Sequence, residues 1–369
     1  MQQNEAINTK QFIWLLFTVL TSISFMQLPA IIIFNAGREA WLAVMLAWLL
    51  DVLLAVVYAY MGIRFPGENF VQYAKTIFGR YVGSLIGLMF IALFGVTCVV
   101  LERGVAQLIN IVFLPKTPLG IILISGFVVI AVAAKKGIEV IGRTVELLGP
   151  IYLASIILLA ILLVPDVRLE RLTPQFSTGY TDFLPAAVIM LSFIGICIMM
   201  GMLQPICNRP ENAFLSKFAA VTLGVGVVQT IIFLSITIFG DKLAANMYAP
   251  SLQLTRIVHI GKFIERVEVV WMVITISAGI MSSAILLWAV SVGISQVFGL
   301  LSDRPLVYPL AFLTLVLCFF SFDSNVMQSQ FTHYTLPVLG IFVESFLEML
   351  LFFAALITGK RGRFRQNNN

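Results

Sequence analysis

The sequence predicts an all-α integral membrane protein in which ten transmembrane helices form one domain over residues 1–369. Three observations predict this fold class. Hydrophobic residues make up 60% of the chain and charged residues only 11%, whereas soluble domains are about 45–50% apolar. Ten apolar stretches cover most of the chain, and the first and sixth are interrupted where a continuous membrane helix would not be. Two interrupted spans five apart are what two inverted five-helix repeats would produce.

Each apolar stretch is long enough to cross the hydrocarbon core of a bilayer, which takes about 20 helical residues. The ten stretches lie at residues 11–34, 40–62, 81–112, 118–134, 146–164, 183–204, 214–240, 267–299, 305–322 and 334–358. We expect three further segments, residues 68–79, 135–145 and 251–267, to form helices or loops outside the hydrocarbon.

The distribution of Lys and Arg predicts the orientation, because these residues accumulate in cytoplasmic loops. Ten spans place both termini on one side. With that side inside, fourteen of the 23 basic residues, Lys217 among them, fall on the inner face and eight on the outer face, which favours N-in and C-in. The net charge of +5 then reflects topology and contact with anionic lipid rather than nucleic-acid binding.

The first span is expected to open between Ser22 and Phe25. Ser22 and Ser24 compete for backbone hydrogen bonds, and Pro29 lacks a helix donor and crowds the carbonyl four residues before it. Backbone groups freed at this depth are tolerated only beside a cavity or inside protein, so the opening indicates a polar ligand or water. A simple proline kink is the alternative interpretation.

The sixth and eighth spans contain further candidate binding residues. In the sixth, Gly195 would let a ligand or a neighbouring backbone approach closely, and Phe193 would cover it, although glycine in membrane helices is commonly a packing contact. In the eighth, Ser282 and Ser283 set two adjacent hydroxyls beside small residues. They are a weak candidate sodium site, similar to that of the sodium symporters of neurotransmitters and amino acids; hydroxyls bonded to their own helix are the alternative.

Ionisable side chains inside spans are costly and are therefore functional candidates. Asp51 lies in the middle of the second span and Glu102, next to Arg103, in the outer part of the third. Glu344 and Glu348 share one face of the tenth span because they are four residues apart. Each carboxylate is expected either to couple protons or to anchor neighbouring helices.

Enzymatic function is not expected. The sequence contains no HExxH, GxSxG or phosphate-loop motif, so no catalytic residue is assigned. The four cysteines lie in or at the ends of apolar stretches without CxxC spacing, which predicts neither a metal site nor a disulfide framework. No cofactor is expected.

Residues 137–150 read GIEVIGRTVELLGP, which resembles the GxExxxRxxExxxP signature of the B subunits of bacterial spore germinant receptors. The LPKTP sequence at 114–118, the ERVE sequence at 265–268 and Trp271 add to this resemblance, which covers the whole chain. It implies a permease-like domain with the ten-helix fold of the amino acid, polyamine and organocation transporter superfamily.

The resemblance also implies a role: recognition of a nutrient, often an amino acid, in the inner membrane of the endospore together with an A and a C subunit. The superfamily's span-one motif has serines here where glycines are usual. The ligand site carried over from the resemblance consists of Ser22, Ser24 and Phe25 in span one, Thr97 in span three, Phe193, Gly195 and Cys197 in span six, and Ser282 and Ser283 in span eight.

The apolar wall that Phe25 and Phe193 would supply predicts a small neutral amino acid as the ligand. An ion-coupled amino acid transporter, driven by protons or sodium, is the alternative function. The buried carboxylates and the paired serines favour it, whereas the signature favours a sensor.

Overall fold

The computed structural model describes residues 6–24, 27–173, 181, 183–258 and 267–362, with the backbone alone for Ile23, Ser24 and Val267. Its α-helices are α1 Thr9–Ser24, α2 Leu28–Ala36, α3 Ala40–Arg64, α4 Phe70–Phe78, α5 Arg80–Val112, α6 Leu119–Lys136, α7 Ile138–Leu163, α8 Leu184–Gly195, α9 Met200–Leu203, α10 Ala213–Phe239, α11 Asp241–Ala245, α12 Pro250–Ile257, α13 Val267–Phe298, α14 Val307–Phe320, α15 Asn325–Gln330, α16 Leu336–Gly340 and α17 Glu348–Thr358. The chain is an integral membrane protein.

Eight helical runs in the described part of the chain are long and apolar enough to cross a membrane, and Arg304–Phe320 is a shorter apolar helix. The predicted first and second spans do not appear as two such helices. Helix α1 has only 16 residues, while α2 and α3 join through a 3₁₀ turn, Gly37–Glu39, into one run from Leu28 to Arg64.

The first span is interrupted just after the predicted opening, because Ser22 and Ser24 are still helical and the next described residue, Gln27, is in a turn. Helix α1 ends at Ser24 and α2 begins at Leu28, with Pro29 in its first turn. Proline at this position costs no hydrogen bond, because the first N–H groups of a helix have no intrahelical acceptor. Phe25 and Met26, which lie between the two helices, are outside the described residues.

The sixth span is one helical run, Leu184–Ile206, whose α-helical winding is interrupted after Gly195. Helix α8 ends at Gly195 and continues as a 3₁₀ segment over Ile196–Met199, followed by α9 and a second 3₁₀ turn, Gln204–Ile206. The tighter 3₁₀ winding has poorer hydrogen-bond geometry and often marks a hinge or functional position inside a helix.

The core of the bundle is built around α1. This helix packs against α7, α10 and α13, while α13 also packs along α5, and α3 packs against α8. Phe12 and Phe17 of α1 and Phe90 and Phe94 of α5 are fully buried. The centre of the bundle is therefore closed by large apolar side chains, and each polar group inside it requires a partner or a cavity.

Of the three segments predicted outside the hydrocarbon, residues 68–79 form a separate short helix. They contain α4, whose first turn is fixed by a reciprocal capping box between Asn69 and Gln72. The third segment contains all of α12 except its first residue, Pro250, and residues 259–266 lie outside the described residues.

The prediction of a separate segment at residues 135–145 is wrong. Lys135 and Lys136 end α6, and α7 begins at Ile138. The chain reverses at Gly137, whose φ of 93° is a backbone conformation that side-chain-bearing residues rarely adopt. One glycine therefore replaces the expected connecting segment, and the signature GIEVIGRTVELLGP forms this turn and the first turns of α7.

Candidate functional site

A small cavity lies at the point where α8 gives way to the 3₁₀ segment. Its volume is about 20 Å³, which on this measure is room for about one water. Thr97 and Phe193, both predicted ligand residues, line it. The other lining residues are Leu93, Ser192, Ile196, Leu336, Gly340 and Glu344. We call it the central cavity.

Glu344 is the charged group of the central cavity. It is 2% exposed, and its Oε2 atom has no hydrogen-bond partner within the described residues. A β-carbon at Gly195 would overlap this carboxylate, and one at Gly340 would lie 3.4 Å from Oε2. The helix around Glu344 is wound as a π-helix over Ile341–Leu347, and such insertions are frequent at functional sites.

Ser22 and Ser282 meet between α1 and α13, next to the interruption of the first span. The Ser22 hydroxyl donates to Ser282 Oγ at 2.5 Å, and the Ser282 hydroxyl donates to the Thr18 carbonyl at 2.8 Å. Both serines are buried. The structure thus brings together two of the predicted residues, and their hydroxyls link the two helices.

Ser283 faces a different neighbour from Ser282. Its hydroxyl donates to Glu102 Oε2 at 3.1 Å, whereas that of Ser282 reaches α1. The two adjacent hydroxyls therefore diverge rather than converge on one point between the helices. The described residues contain no cluster of three His, Cys, Asp or Glu side chains that could hold a metal ion.

The remaining ligand candidates lie apart from the central cavity or outside the described residues. Cys197 is buried, with its Sγ 4.0 Å from the Leu16 carbonyl of α1. The side chain of Ser24 and all of Phe25 fall outside the described residues.

Asp51 forms a buried ion pair that sequence analysis missed. Lys217 Nζ donates to Asp51 Oδ1 at 2.7 Å, and the two side chains are 0% and 1% exposed. The same ammonium lies 4.4 Å from the centre of the Tyr58 ring. The assignment of Lys217 to the inner surface is therefore wrong, because a neighbouring span supplies a buried carboxylate that a single sequence does not reveal.

Glu102 and Arg103 are both buried, and their side chains contact different helices. Glu102 bonds to Ser283, and it also lies against Gly126, where a β-carbon would overlap it. Arg103 donates to the carbonyls of Cys318 and Phe322 at the end of α14. Arg103 therefore satisfies the carbonyls that a helix end leaves free rather than extending to the membrane surface.

A second polar network, formed by amide side chains, was not predicted. Gln107 donates to Gln328 at 2.6 Å and to Asn325 at 2.7 Å, and the Tyr248 hydroxyl donates to Gln107 at 3.0 Å. Gln328 and Tyr248 line a cavity of about 40 Å³ that shares Thr97 with the central cavity. Gln107, inside the third predicted span, was the available signal, because a buried amide in a membrane requires partners.

Interrupted helices around a buried cavity are typical of the transporter-type membrane fold. Consistent with this, the fold is similar to that of Mhp1, a nucleobase-cation-symport-1 family transporter in a closed conformation with bromovinylhydantoin bound. The TM-score is 0.71 at 16% sequence identity, with 96% of this chain and 79% of Mhp1 covered.

The chain belongs to the spore germination protein family, whose sequence model, the spore permease model, matches residues 6–327. This confirms the family that the signature predicted. Spore germination protein KB of Bacillus subtilis (strain 168) is 25% identical over 288 residues, which is 76% of this chain and 77% of that protein. Spore germination protein YndE of the same organism is 26% identical, over 70% and 72% of the two chains. Spore germination protein A2 of this organism is 22% identical, with 94% of each chain covered.

Proposed function

We propose that this protein is the nutrient-sensing subunit of a spore germinant receptor, which binds a small neutral amino acid at the unwound parts of spans one and six. It acts in the inner membrane of the endospore with an A and a C subunit and has no enzymatic activity. The observation that carries the proposal is the central cavity, where the interrupted sixth span and the unpaired oxygen of Glu344 lie together. Membership of the spore germination protein family supports the biological role.

The chemistry of the central cavity fits an amino acid. An ionised Glu344 would accept hydrogen bonds from the ligand's ammonium group, and such charge-assisted bonds are about twice as strong as neutral ones. Thr97 offers a hydroxyl, and Phe193, Leu93 and Ile196 offer apolar contact. This combination favours a neutral side chain over a charged one, because a buried charge without a partner is costly.

The proposed architecture is ten transmembrane helices in two inverted repeats of five, with both termini inside. The likeness to Mhp1 supports a transporter-type arrangement. Helices α1 and α2 together would form the interrupted first crossing and α3 the second, and the apolar helix Arg304–Phe320 would be a shorter crossing.

Ligand binding requires a second conformation, because the central cavity holds about one water in the conformation described. A nutrient that binds the open packing more tightly shifts the population toward it. A preference of about 100-fold corresponds to about 2.7 kcal/mol. The changed packing of spans one and six would then be passed to the partner subunits.

Deletion of the gene in its spore-forming host, followed by germination assays with single amino acids, sugars and nucleosides, tests the proposal. We expect loss of response to one nutrient or one nutrient mixture. Complementation with Thr97→Val, which removes only the cavity hydroxyl, should raise the nutrient concentration for half-maximal germination by about tenfold. Unchanged germination of the deletion strain would contradict the proposed function.

Thr314→Val is the matched control for that substitution. Thr314 is also a buried threonine, but its hydroxyl donates to the Leu310 carbonyl of its own helix α14. The control variant should respond like the wild type. An equal loss in both variants would mean that the Thr97 effect is structural.

An ion-coupled amino acid transporter, using protons or sodium, is the second candidate. The likeness to a cation symporter favours it, together with the hydroxyl of Ser282 beside the Thr18 carbonyl at the broken first span. Purified protein in liposomes would then accumulate an amino acid only under a sodium or proton gradient. Normal germination of the deletion strain with loss of uptake in growing cells would establish transport.

A further inference from the structure

A larger cavity, distinct from the central one, opens at the end of the bundle where α3 ends and the sixth span finishes. Its volume is about 260 Å³, many times the roughly 10–15 Å³ that one water needs on this measure. Its outer part includes the exposed residues Gly67 and Glu211, and its inner part the buried residues Gln204 and Glu348. We call it the acidic cavity.

The charged residues that line the acidic cavity are all carboxylates: Glu68, Glu211 and Glu348. The ammonium of Lys217, which lies over the Tyr58 ring at the cavity wall, is already paired with Asp51. A cleft with one sign of charge between low-dielectric walls concentrates ions of the opposite sign. The cavity is therefore suited to a cation.

Two acceptor atoms at the buried end have no hydrogen-bond partner among the residues that the structure describes. Tyr73 donates to Glu348 Oε1 at 2.8 Å, which leaves Glu348 Oε2 without a partner, and Gln204 Oε1 also has none. Both side chains are 2% exposed or less. Unsatisfied buried acceptors cost free energy unless a donor reaches them, and a cation that carries N–H groups would supply that donor.

The walls of the acidic cavity select the kind of cation. They consist largely of apolar and aromatic groups, among them Ile198, Pro205 and the rings of Tyr58 and Tyr73. A bare metal ion prefers about six oxygen ligands, which these walls do not offer. An alkylammonium ion would place its N–H groups on the acceptors, its methylene groups on the apolar wall and its charge beside the tyrosine rings.

We infer that the acidic cavity is a binding site for a small primary alkylammonium ion, with Glu348 as its buried counter-ion. The site lies one helical turn from Glu344, yet it opens at a different place from the central cavity. It is therefore separate from the proposed nutrient site, and its occupancy is measurable without germination.

The test uses the full-length protein in detergent and n-butylammonium chloride as the probe, with thermal unfolding followed at constant ionic strength. We expect a saturable rise in the unfolding temperature with butylammonium and none with tetramethylammonium, which has no N–H donor. Glu348→Gln should weaken the apparent affinity by about tenfold. This variant is nearly isosteric and keeps an acceptor for the Tyr73 hydroxyl.

Glu102→Gln is the matched control. Glu102 is an equally buried carboxylate that bonds to Ser283 and does not line the acidic cavity, so its variant should bind butylammonium like the wild type. The double variant Glu68→Gln/Glu211→Gln alters only the outer, more accessible part, and it should weaken binding by about threefold at low salt and less at high salt.

Three results would overturn the inference. A lack of saturable stabilisation by butylammonium would exclude the site. An equal rise in the unfolding temperature with potassium or tetramethylammonium would mean a general salt effect or a metal-ion site. Wild-type affinity in Glu348→Gln and in the Glu68→Gln/Glu211→Gln variant would place the ammonium elsewhere.

Discussion

The carboxylate of Glu344 lies directly against the backbone of Gly195, so that a β-carbon at position 195 would overlap its Oε2 atom. This contact joins the tenth predicted span to the interruption of the sixth. Gly195 is therefore required because a carboxylate occupies the space of its missing side chain, which is a more specific reason than general helix packing. The shape of the central cavity therefore depends on the contact between the Glu344 carboxylate and the Gly195 backbone.

Gly195→Ala is predicted to destabilise the protein by about 1–3 kcal/mol, the usual cost of overpacking a core. The double variant Gly195→Ala/Glu344→Ala should recover most of that loss, because the colliding carboxylate is gone. Thermal unfolding of the purified protein in detergent measures both effects. Gly95→Ala is the control, since a β-carbon at Gly95 meets no atom within 4 Å. Equal stability of Gly195→Ala and wild type would contradict the contact.

The ion pair of Asp51 and Lys217 is predicted to be strongly coupled. Asp51→Leu or Lys217→Met alone leaves an unpaired charge in the interior and should cost about 3–5 kcal/mol. The double variant Asp51→Leu/Lys217→Met removes both charges and should be close to wild type in stability. A double-mutant cycle of unfolding free energies checks this. Additive losses would show that the two residues act independently.

The hydroxyl link between Ser22 and Ser282 is predicted to stabilise the packing of α1 on α13. Ser282→Ala removes the bond to the Thr18 carbonyl, at a cost of about 1 kcal/mol, and leaves the Ser22 hydroxyl with the Val19 carbonyl of its own helix as acceptor. Ser277→Ala is the control on the same helix, because its hydroxyl donates to its own helix at Val273. A loss of the same size in both variants would argue against the interhelical link.

The exposed pair of Glu139 and Arg143, within the signature, is predicted to matter little for stability. Arg143 donates to Glu139 at 2.6 Å, but their side chains are 71% and 38% exposed. Exposed helical pairs four residues apart contribute about 0.3–0.5 kcal/mol. The unfolding temperature of Arg143→Ala in a thermal scan should therefore lie within about 1 °C of the wild-type value. A drop of several degrees would instead indicate that Arg143 holds the fold together.

Much of the architecture was predictable from local chemistry. Pro29 and the serines before it predicted an opening in the first span, and α1 ends at Ser24. Gly195 predicted an irregular sixth span, and α8 ends at that residue. These predictions succeed because proline, serine and glycine act on the backbone within a few residues of themselves. The family was also readable from residues 137–150 and is confirmed by the match over residues 6–327.

Several side-chain partners were not predictable. Lys217 lies in an otherwise apolar span, and only the packing of α10 on α3 places it beside Asp51. Ser282 and Ser283 are neighbours in sequence, yet one faces α1 and the other faces α5. Successive helical residues point about 100° apart, so the surrounding helices decide what each one contacts.

The amino-acid sequence by itself determined the membrane environment, the helical class, the family and the fact that the helices of spans one and six are irregular. Each of these depends on composition or on interactions between residues close together in the chain. Only the tertiary structure decided that Glu344 faces Gly195, that Asp51 pairs with Lys217 and that Glu348 lies at the buried end of the acidic cavity. Those contacts join residues about 150 or more positions apart, and their geometry depends on how the helices cross, which no local pattern encodes.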